Sequence, residues 1–549
     1  MNSALEKRIK KHIIGKQHRF LAVSPLGFEQ TLVRELEYIR QEDSQEGASS
    51  RHPETQSVEG SSATPPATQP HVTGDGKVEF TAKITEAWKI VAFSRIANRV
   101  LMEVASFKAE NFREFEKKAS EIPWELYLPD DKCVGRASRP CLHEHDRVQH
   151  LGLERSDNPK TSNVILRRKA SKDPVKYTSA LNIHVTCKHS RLYHSDAIAE
   201  RLQKIIDGGS LPLAPSRREN GPSVLQTKDK RKSAKAASRL DYATPSAGTP
   251  RNAPLQNVYV NFLDDRCTIW LDLAGEELYK RGHERFVNEA PLKETIAAAM
   301  LFEAFDATAQ ATNNVTPDPV PGPPYTLLDL MSGSGTFSLE AAYIANKLIP
   351  GVCRDFALKH QPAFKEATWN FITRSVTLSE TKGPVKSCKA FAAIGKILTS
   401  DISERAVSII KHNIESSPLV NISPAPVIPQ LRDFFSYTAK EIADACGDAS
   451  PVLVLNPPYG KRLDFDAPKL YTKIGKKITE LANGLAAFNK RLTVAILAPK
   501  DDTRDGSKYT CTANLLRECP AISPEHNNSA KIITTSHGGL SLNAIIATL

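Results

Sequence analysis

The stretch VLVLNPPYG, residues 452–460, decides the fold class of this 549-residue chain. Its apolar start is bounded by turn residues and predicts a short buried strand. The two prolines cannot continue a hydrogen-bonded ladder, so they force an extended and rigid corner where the strand ends. This corner places an amide side chain, a fixed backbone carbonyl and an aromatic ring at the carboxyl edge of a sheet, where open α/β folds bind their ligands.

The residue types at this corner suit the methylation of a planar exocyclic amine. The amide oxygen of Asn456 and the carbonyl of Pro457 can accept the two N–H bonds of such an amine. Pro458 keeps the corner rigid, and Tyr459 can stack on the ring that carries the amine. These four residues form the predicted catalytic group. Taken alone, they also fit a strand that ends in a proline-rich turn with a packed tyrosine.

A second ligand-binding stretch, LLDLMSGSGT, covers residues 327–336. It has the order strand, glycine turn and helix that a nucleotide-type loop requires. Gly333 and Gly335 let the backbone approach a ligand closely, because a side chain there would block it. Ser332 and Thr336 complete the predicted cofactor loop. A dinucleotide could also use such a loop, but the spacing D-x-x-x-G-x-G and the downstream N-P-P-Y disfavour it.

Acidic residues end two of the predicted strands. Asp329, just before the glycine loop, would oppose a cationic sulfonium cofactor and its amino-acid moiety. Asp401 ends the strand 396–401, and an acid at that position accepts hydrogen bonds from ribose hydroxyls in such folds. Together with the adjacent Ile402, these acids are predicted to contact S-adenosylmethionine.

Composition indicates an ordinary soluble protein, with 40% hydrophobic and 25% charged residues. No apolar run approaches the ~20 residues that span a bilayer, and the basic N-terminus lacks the apolar core of a signal peptide. The nine cysteines contain no C-x-x-C pair, so we expect reduced thiols and a cytoplasmic location. A cluster of two cysteines and three histidines between Cys133 and His150 fits a solvated insertion better than zinc, and no metal is predicted.

Low-complexity and basic segments divide the chain. Disordered insertions are predicted at 41–73 and at 136–176, and a disordered basic insertion at 207–253. Each of the last two carries a net charge of +5, out of +11 for the whole chain. Such segments fit a polyanion partner, but they also fit solvated loops.

The predicted fold class is α/β. It comprises an N-terminal α+β region (1–40 and 74–206), connector strands and a helix (254–306), and a Rossmann-like domain (325–549) with a mostly parallel sheet and a C-terminal hairpin.

The N-terminal half resembles the THUMP-containing region of the bacterial large-subunit ribosomal RNA guanine-N2 methyltransferases. The matching pieces are F-L-A-V-x-x-L-G-F-E, G-x-V-E-F, S-R-I-A-N-R-V-L, I-P-W-E-L-Y-L and C-K-H-S-R-L-Y-H-S-D-A-I-A-E-R, and the later A-P-L-K-E-x-x-A-A-A is shared as well. THUMP modules bind structured RNA. The resemblance therefore implies an RNA partner, with four RNA-facing candidates in this half: Lys188, Arg191, Tyr193 and His194.

The resemblance also implies roles in the second half. N-P-P-Y is a signature of S-adenosylmethionine-dependent amino-group methyltransferases. Asp433 would receive the adenine amino group of the cofactor, and Phe434 would pack on the adenine ring. Lys461 and Arg462, directly after the motif, could hold the phosphates that flank a target base. Related bacterial proteins often carry a second methyltransferase domain; this chain ends after one, so the second activity is not predicted.

The sequence therefore predicts an S-adenosylmethionine-dependent RNA methyltransferase that forms N2-methylguanosine, in large-subunit rRNA. A guanine-N2 methyltransferase of tRNA is the nearest alternative. A DNA adenine or protein glutamine methyltransferase would share N-P-P-Y without needing the first half. In another class, the chain could be a non-catalytic RNA-binding or ribosome-assembly factor. The oligomeric state stays open, and His537, near the C-terminus, is interpreted as a turn residue rather than an acid or base.

Overall fold

Two seven-stranded sheets, one in each half of the chain, organise the protein. The computed structural model describes residues 3–46, 68–128, 181–208, 256–287, 291–313, 324–378, 394–459, 466–501 and 510–549. The strands are β1 (Gln17–Val23), β2 (His71–Gly74), β3 (Lys77–Lys83), β4 (Arg99–Lys108), β5 (Leu181–Lys188), β6 (Gln256–Leu263), β7 (Arg266–Asp272), β8 (Tyr325–Asp329), β9 (Ile394–Asp401), β10 (Pro429–Leu431), β11 (Ser450–Leu455), β12 (Thr493–Pro499), β13 (Lys531–His537) and β14 (Leu540–Thr548).

Twelve α-helices accompany these strands within the described ranges. They are α1 (Ser3–Ile9), α2 (Glu29–Glu46), α3 (Ile84–Phe93), α4 (Phe112–Ser120), α5 (Ser195–Ile206), α6 (Glu294–Asn313), α7 (Thr336–Ala345), α8 (Glu366–Leu378), α9 (Glu404–Glu415), α10 (Ala439–Cys446), α11 (Ala467–Ala486) and α12 (Cys511–Glu518). None of the helices that the structure describes is both long and apolar enough to cross a membrane.

The first sheet has the order β2-β3-β1-β4-β7-β6-β5 and is antiparallel except between β5 and β6. Strands β6 and β7 lie inside this sheet, between β4 and β5, although the sequence assigned them to a connector. Helix α2 continues to Glu46 and β2 begins at His71, so ordered structure extends into the segment 41–73 that was predicted to be disordered. The predicted insertion 136–176 lies outside the described residues, as does 207–253 beyond residue 208.

The second sheet has the order β10-β9-β8-β11-β12-β14-β13. The first five strands in this order, β10, β9, β8, β11 and β12, run parallel to one another. The hairpin of β13 and β14 adds two strands, of which β14 is antiparallel to β12. Strand β11 is buried from Pro451 to Leu455, as its uninterrupted apolar sequence requires in a parallel sheet that is covered on both faces. The mostly parallel sheet and C-terminal hairpin expected from the sequence are therefore confirmed.

A short segment between the sheets, residues 281–287, which we call the strap, joins the two halves. Arg281 donates two hydrogen bonds to the carboxylate of Glu340 in α7, at 2.9 and 3.0 Å, and both side chains are 3% exposed. Its guanidinium also donates to the carbonyl of Arg95, which precedes β4 in the first sheet, at 3.0 Å. The strap thus ties the first sheet to the helix that follows the glycine loop.

Gly282 is needed where the strap passes the loop 349–355. Its φ is +91°, and a β-carbon there would lie 2.7 Å from the carbonyl carbon of Cys353. We expect Gly282→Ala to lower the free energy of unfolding by roughly 2 kcal/mol, because backbone must shift. Gly208→Ala is the matched control, because Gly208 also has a positive φ but nothing lies within 4 Å of the added carbon. Urea denaturation of both variants tests this; equal losses would contradict it.

Candidate functional site

The carboxyl ends of four neighbouring parallel strands bring the predicted site residues to one edge of the second sheet. Asp329 ends β8 and Asp401 ends β9. Asp433 follows β10 by two residues, and Asn456 directly follows β11. Because β10, β9, β8 and β11 are adjacent and parallel, these residues lie along one edge of the sheet, where ligands bind in open α/β folds. Their roles toward a cofactor or substrate stay predictions.

The N-P-P-Y corner presents an unsatisfied acceptor at this edge. Asn456 is partly buried, and its Oδ1 is shielded from solvent without a hydrogen-bond partner among the described residues. Pro457 is buried and Pro458 is exposed. Tyr459 is 7% exposed and belongs to the hydrophobic core. Burial raises the pKa of its phenol to about 12, so the side chain is neutral at physiological pH, and its stacking on a target base stays a prediction. A buried acceptor without a donor is costly, and a ligand amine would satisfy it.

The glycine loop is pinned to the end of β9. Ser332 donates to the carbonyl of Ser400 from its backbone N–H, at 3.1 Å, and from its hydroxyl, at 2.9 Å. The N–H of Gly333 donates to Oδ2 of Asp401 at 2.8 Å. Asp401 therefore holds the loop in place, in addition to its predicted contact with a ribose.

The two glycines of the loop serve different needs. Gly333 has a φ of +54°, and an added β-carbon would enter open space, which is where a cofactor can approach the backbone. Gly335 has a φ of +77°, and an added β-carbon would lie 2.9 Å from Cγ1 of Ile410 in α9. The sequence assigned both glycines to close ligand approach, whereas the structure gives Gly335 a packing reason of its own.

Asp329 is an acid whose surroundings are suited to a nearby cation. It is 1% exposed, and its Oδ2 accepts hydrogen bonds from the N–H of Ser338 at 3.1 Å and from its hydroxyl at 2.7 Å. Its Oδ1 has no partner among the described residues. Burial raises the pKa of this carboxyl to about 7. The ionised form is thus expensive unless a positive group comes close.

The remaining predicted cofactor contacts differ in exposure. Ile402 is 71% exposed beside Asp401, as a surface for a ligand ring requires. Asp433 accepts a hydrogen bond from the N–H of Phe435 at 3.0 Å and so caps a single helical turn. Phe434 is 2% exposed and packs in the core with Leu328. Its contact with an adenine ring, inferred from the resemblance alone, stays a prediction.

The RNA-facing candidates lie between β5 and α5. Lys188, Arg191, Tyr193 and His194 are all exposed, and Tyr193 reaches 66%. The rings of Tyr193 and His194 contact each other, with centroids 4.0 Å apart. Arg191 is held in ion pairs with two acids, Glu110 and Asp265.

Some predicted residues cannot be placed. Lys461 and Arg462 lie outside the described residues, and so does the cluster between Cys133 and His150. Within the described ranges, no three histidine, cysteine or acidic side chains come together as metal ligands would.

Sequence reasoning missed the strap as part of the site. Asn413 of α9 donates to the carbonyls of Phe286 at 2.9 Å and Ser334 at 3.2 Å, so the strap and the glycine loop share one anchor. His537, predicted to be a turn residue, ends β13 and places Nε2 2.6 Å from the carbonyl of Pro291, and burial lowers its pKa. The A-P-L-K-E segment, which begins just after the strap and contains Pro291, is the sequence motif that could have indicated that the strap and His537 lie near the site.

The site as a whole fits S-adenosylmethionine. Asp329 offers an unpartnered carboxylate oxygen toward a cation, Gly333 opens the loop to a ligand, and Ile402 exposes an apolar surface next to Asp401. No other group is required to explain these features.

Comparisons with known proteins agree with this geometry. Residues 281–505 match the model of the RMKL-like methyltransferase domain, UPF0020. A ribosomal RNA large subunit methyltransferase K/L from Alteromonas mediterranea is 30% identical over 452 residues, which cover 80% of this chain and 48% of the relative. The protein of the same name from Allochromatium vinosum is 25% identical over 413 residues, covering 74% and 42%. The chain thus spans about half the length of the curated relatives it matches.

Solved structures show the same fold. A possible methylase from Clostridium difficile 630 superimposes with a TM-score of 0.54 at 17% identity, over 97% of this chain and 98% of that one. SMU.472, crystallised in complex with SAH, gives a TM-score of 0.54 at 19% identity with the same coverage. The α/β methyltransferase fold is therefore confirmed. The match to a methyltransferase domain over residues 281–505 confirms the S-adenosylmethionine cofactor that the sequence predicts.

The two glycines of the loop make a matched pair for mutagenesis. Gly333→Ala should weaken binding of S-adenosylmethionine by about tenfold, because the new methyl group enters the ligand space; its φ of +54° should also cost stability, on the order of 1 kcal/mol. Gly335→Ala should instead lower the melting temperature more strongly, because its methyl group meets Ile410. Isothermal titration calorimetry and thermal denaturation separate the two effects. Cofactor affinity that falls equally in both variants, with equal losses of stability, would contradict this division.

The raised pKa of Asp329 predicts a pH dependence of stability in the cofactor-free protein. The carboxyl ionises near 3.9 in the unfolded chain but at about 7 in the folded one. The unfolded state therefore loses its proton first, and the stability falls as pH rises between these values. Asp329→Asn removes this loss, so its stability relative to wild type should grow by on the order of 2 kcal/mol from pH 5 to pH 8.

The measurement is urea denaturation across this pH range, with Asp448→Asn as the control because Asp448 is exposed. Parallel stability curves for wild type and Asp329→Asn would show that Asp329 keeps an ordinary pKa.

Proposed function

We propose that this protein is an S-adenosylmethionine-dependent RNA methyltransferase that forms N2-methylguanosine in large-subunit rRNA. The observation that carries the proposal is the Oδ1 of Asn456, which is buried without a partner among the described residues and follows β11, the strand next to the one that leads into the cofactor loop. An acceptor in this position calls for an amine donor, and the exocyclic amine of guanine supplies one.

The chain's own residues would orient the amine and polarise it. The target base leaves its stack to enter the crevice, where Tyr459 packs on the ring, a contact worth roughly 1–3 kcal/mol. Asn456 Oδ1 and the carbonyl of Pro457 accept the two N–H bonds and so direct the nitrogen lone pair away from themselves. Bound S-adenosylmethionine supplies an electrophilic methyl group. Asp329 stabilises positive charge near the loop.

The RNA partner is proposed from the first half of the chain and from the relatives. The sequence pieces that resemble THUMP proteins fall within the first sheet and its helices, and Lys188, Tyr193 and His194 are exposed there. Two of the similar proteins carry the name ribosomal RNA large subunit methyltransferase K/L.

Nucleoside mass spectrometry of fractionated RNA tests the proposal. Cells that lack the protein should lose N2-methylguanosine from large-subunit rRNA, and the wild-type gene should restore it. Asn456→Ala should fail to restore it, since the amine loses an acceptor, with at least about a hundredfold loss of activity.

The control is Asn421→Ala, which changes an exposed asparagine of the same domain and should restore the modification fully. If N2-methylguanosine is lost from tRNA instead, the proposed chemistry holds but the substrate is tRNA rather than large-subunit rRNA. Unchanged N2-methylguanosine in every RNA fraction would overturn the guanine assignment.

A further inference from the structure

Arg285 is a largely buried cation beside the glycine loop. Its side chain is 13% exposed, and burial lowers its pKa to about 10. One Nη donates to the hydroxyl of Thr336, the first residue of α7, and lies 3.5 Å from the hydroxyl of Ser334. The other Nη pairs with Glu294 in the first turn of α6. The guanidinium thus bridges the starts of two helices.

The start of a helix is an electrostatically unfavourable place for a cation. The start of α7 carries the positive end of the helix dipole, which opposes a nearby arginine. Glu294 offsets that cost, since its carboxylate pairs with the guanidinium and also suits the start of α6. Within the described residues, Nε of Arg285 has no hydrogen-bond partner. The side chain is therefore buried although one of its donors is unsatisfied, which is uncommon in folded proteins.

The glycine loop needs an anchor at its second half. Its first half is pinned by Ser332 and Gly333 to the end of β9. The second half contains Gly335, whose positive φ allows alternatives in the absence of external contacts. The contacts there come from the strap and from α9: Arg285 bonds Thr336, Asn413 links Phe286 to the carbonyl of Ser334, and Ile410 lies against Gly335.

We propose that Arg285 is a positioning residue that fixes the Ser334–Thr336 half of the loop in the conformation that binds S-adenosylmethionine. The inference rests on the proposed function only for the identity of the cofactor. An anchored loop avoids an ordering cost on binding, and the gain therefore shows as affinity. Arginine suits the task because its planar fork reaches Thr336 and Glu294 at once, whereas the single ammonium of lysine cannot reproduce both directions.

The test measures binding of S-adenosylmethionine and of SAH by isothermal titration calorimetry on the full chain. Arg285→Gln should raise both dissociation constants by about tenfold or more, and Arg285→Lys should recover part of the loss. Thr336→Val should weaken binding similarly, because it removes the acceptor. The double variant should be no weaker than either single one, since both remove the same contact.

Arg40→Gln is the matched control. Arg40 is 11% exposed, forms an ion pair with Glu86 and lies in the first half of the chain. It should lose a comparable amount of thermal stability while cofactor affinity stays at the wild-type value.

The outcomes are distinct. Wild-type affinity in Arg285→Gln, with or without reduced stability, would overturn the proposal. So would additive losses in the double variant, because Arg285 would then act by a route other than Thr336. If Arg285→Gln does not fold, wild-type affinity in Thr336→Val still overturns it. A wild-type protein that binds neither ligand would overturn this inference and the proposed function together, whereas normal binding with unchanged cellular RNA would overturn only the proposed substrate.

Discussion

The buried ion pair between Arg281 and Glu340 ties the helix after the cofactor loop to the first half of the chain. Both side chains are 3% exposed, and each has been removed from water at a cost that their attraction only partly returns. The pair therefore does more to specify geometry than to add stability. Glu340 lies in α7, one turn beyond the glycine loop, and Arg281 also reaches the carbonyl of Arg95. The position of the cofactor loop is consequently set from the first half of the chain as well as from its own sheet.

A second constraint is the unsatisfied state of the site. Oδ1 of Asp329 and Oδ1 of Asn456 are both shielded from water without a partner among the described residues. Their locations match two parts of one reaction, because Asp329 adjoins the cofactor loop and Asn456 adjoins the aromatic ring of Tyr459. Buried acceptors of this kind are uncommon in folded proteins. Both oxygens are satisfied when a cationic group and an amine enter the crevice, which is why the site is best understood together with its ligands.

Features that depend on residues close in sequence could be predicted from the sequence, whereas features that depend on packing between distant segments could not. Strand β11 and its N-P-P-Y corner, the glycine loop and the acid that ends β9 all depend on residues close in sequence. The membership of β7 in the first sheet depends on pairing with β4, more than 150 residues earlier, so β6 and β7 were assigned to a connector. The need for glycine at Gly335 arises from Ile410, on a different helix. Arg285 gave no local signal, since its burial exists only once α6, α7 and the strap have come together.

The strap and α9 contact the second half of the glycine loop. Gly333 and Gly335 both have positive φ values, and a loop of this kind without anchors would have to be ordered at the expense of binding energy. Ser332 anchors one end to β9, while Arg285 and Asn413 anchor the other to α6 and α9. Arg285 and Asn413 belong to the strap and to α9 rather than to the glycine loop. In the arrangement that we propose, they fix the loop while Asp329 and Gly333 are left free to meet the cofactor.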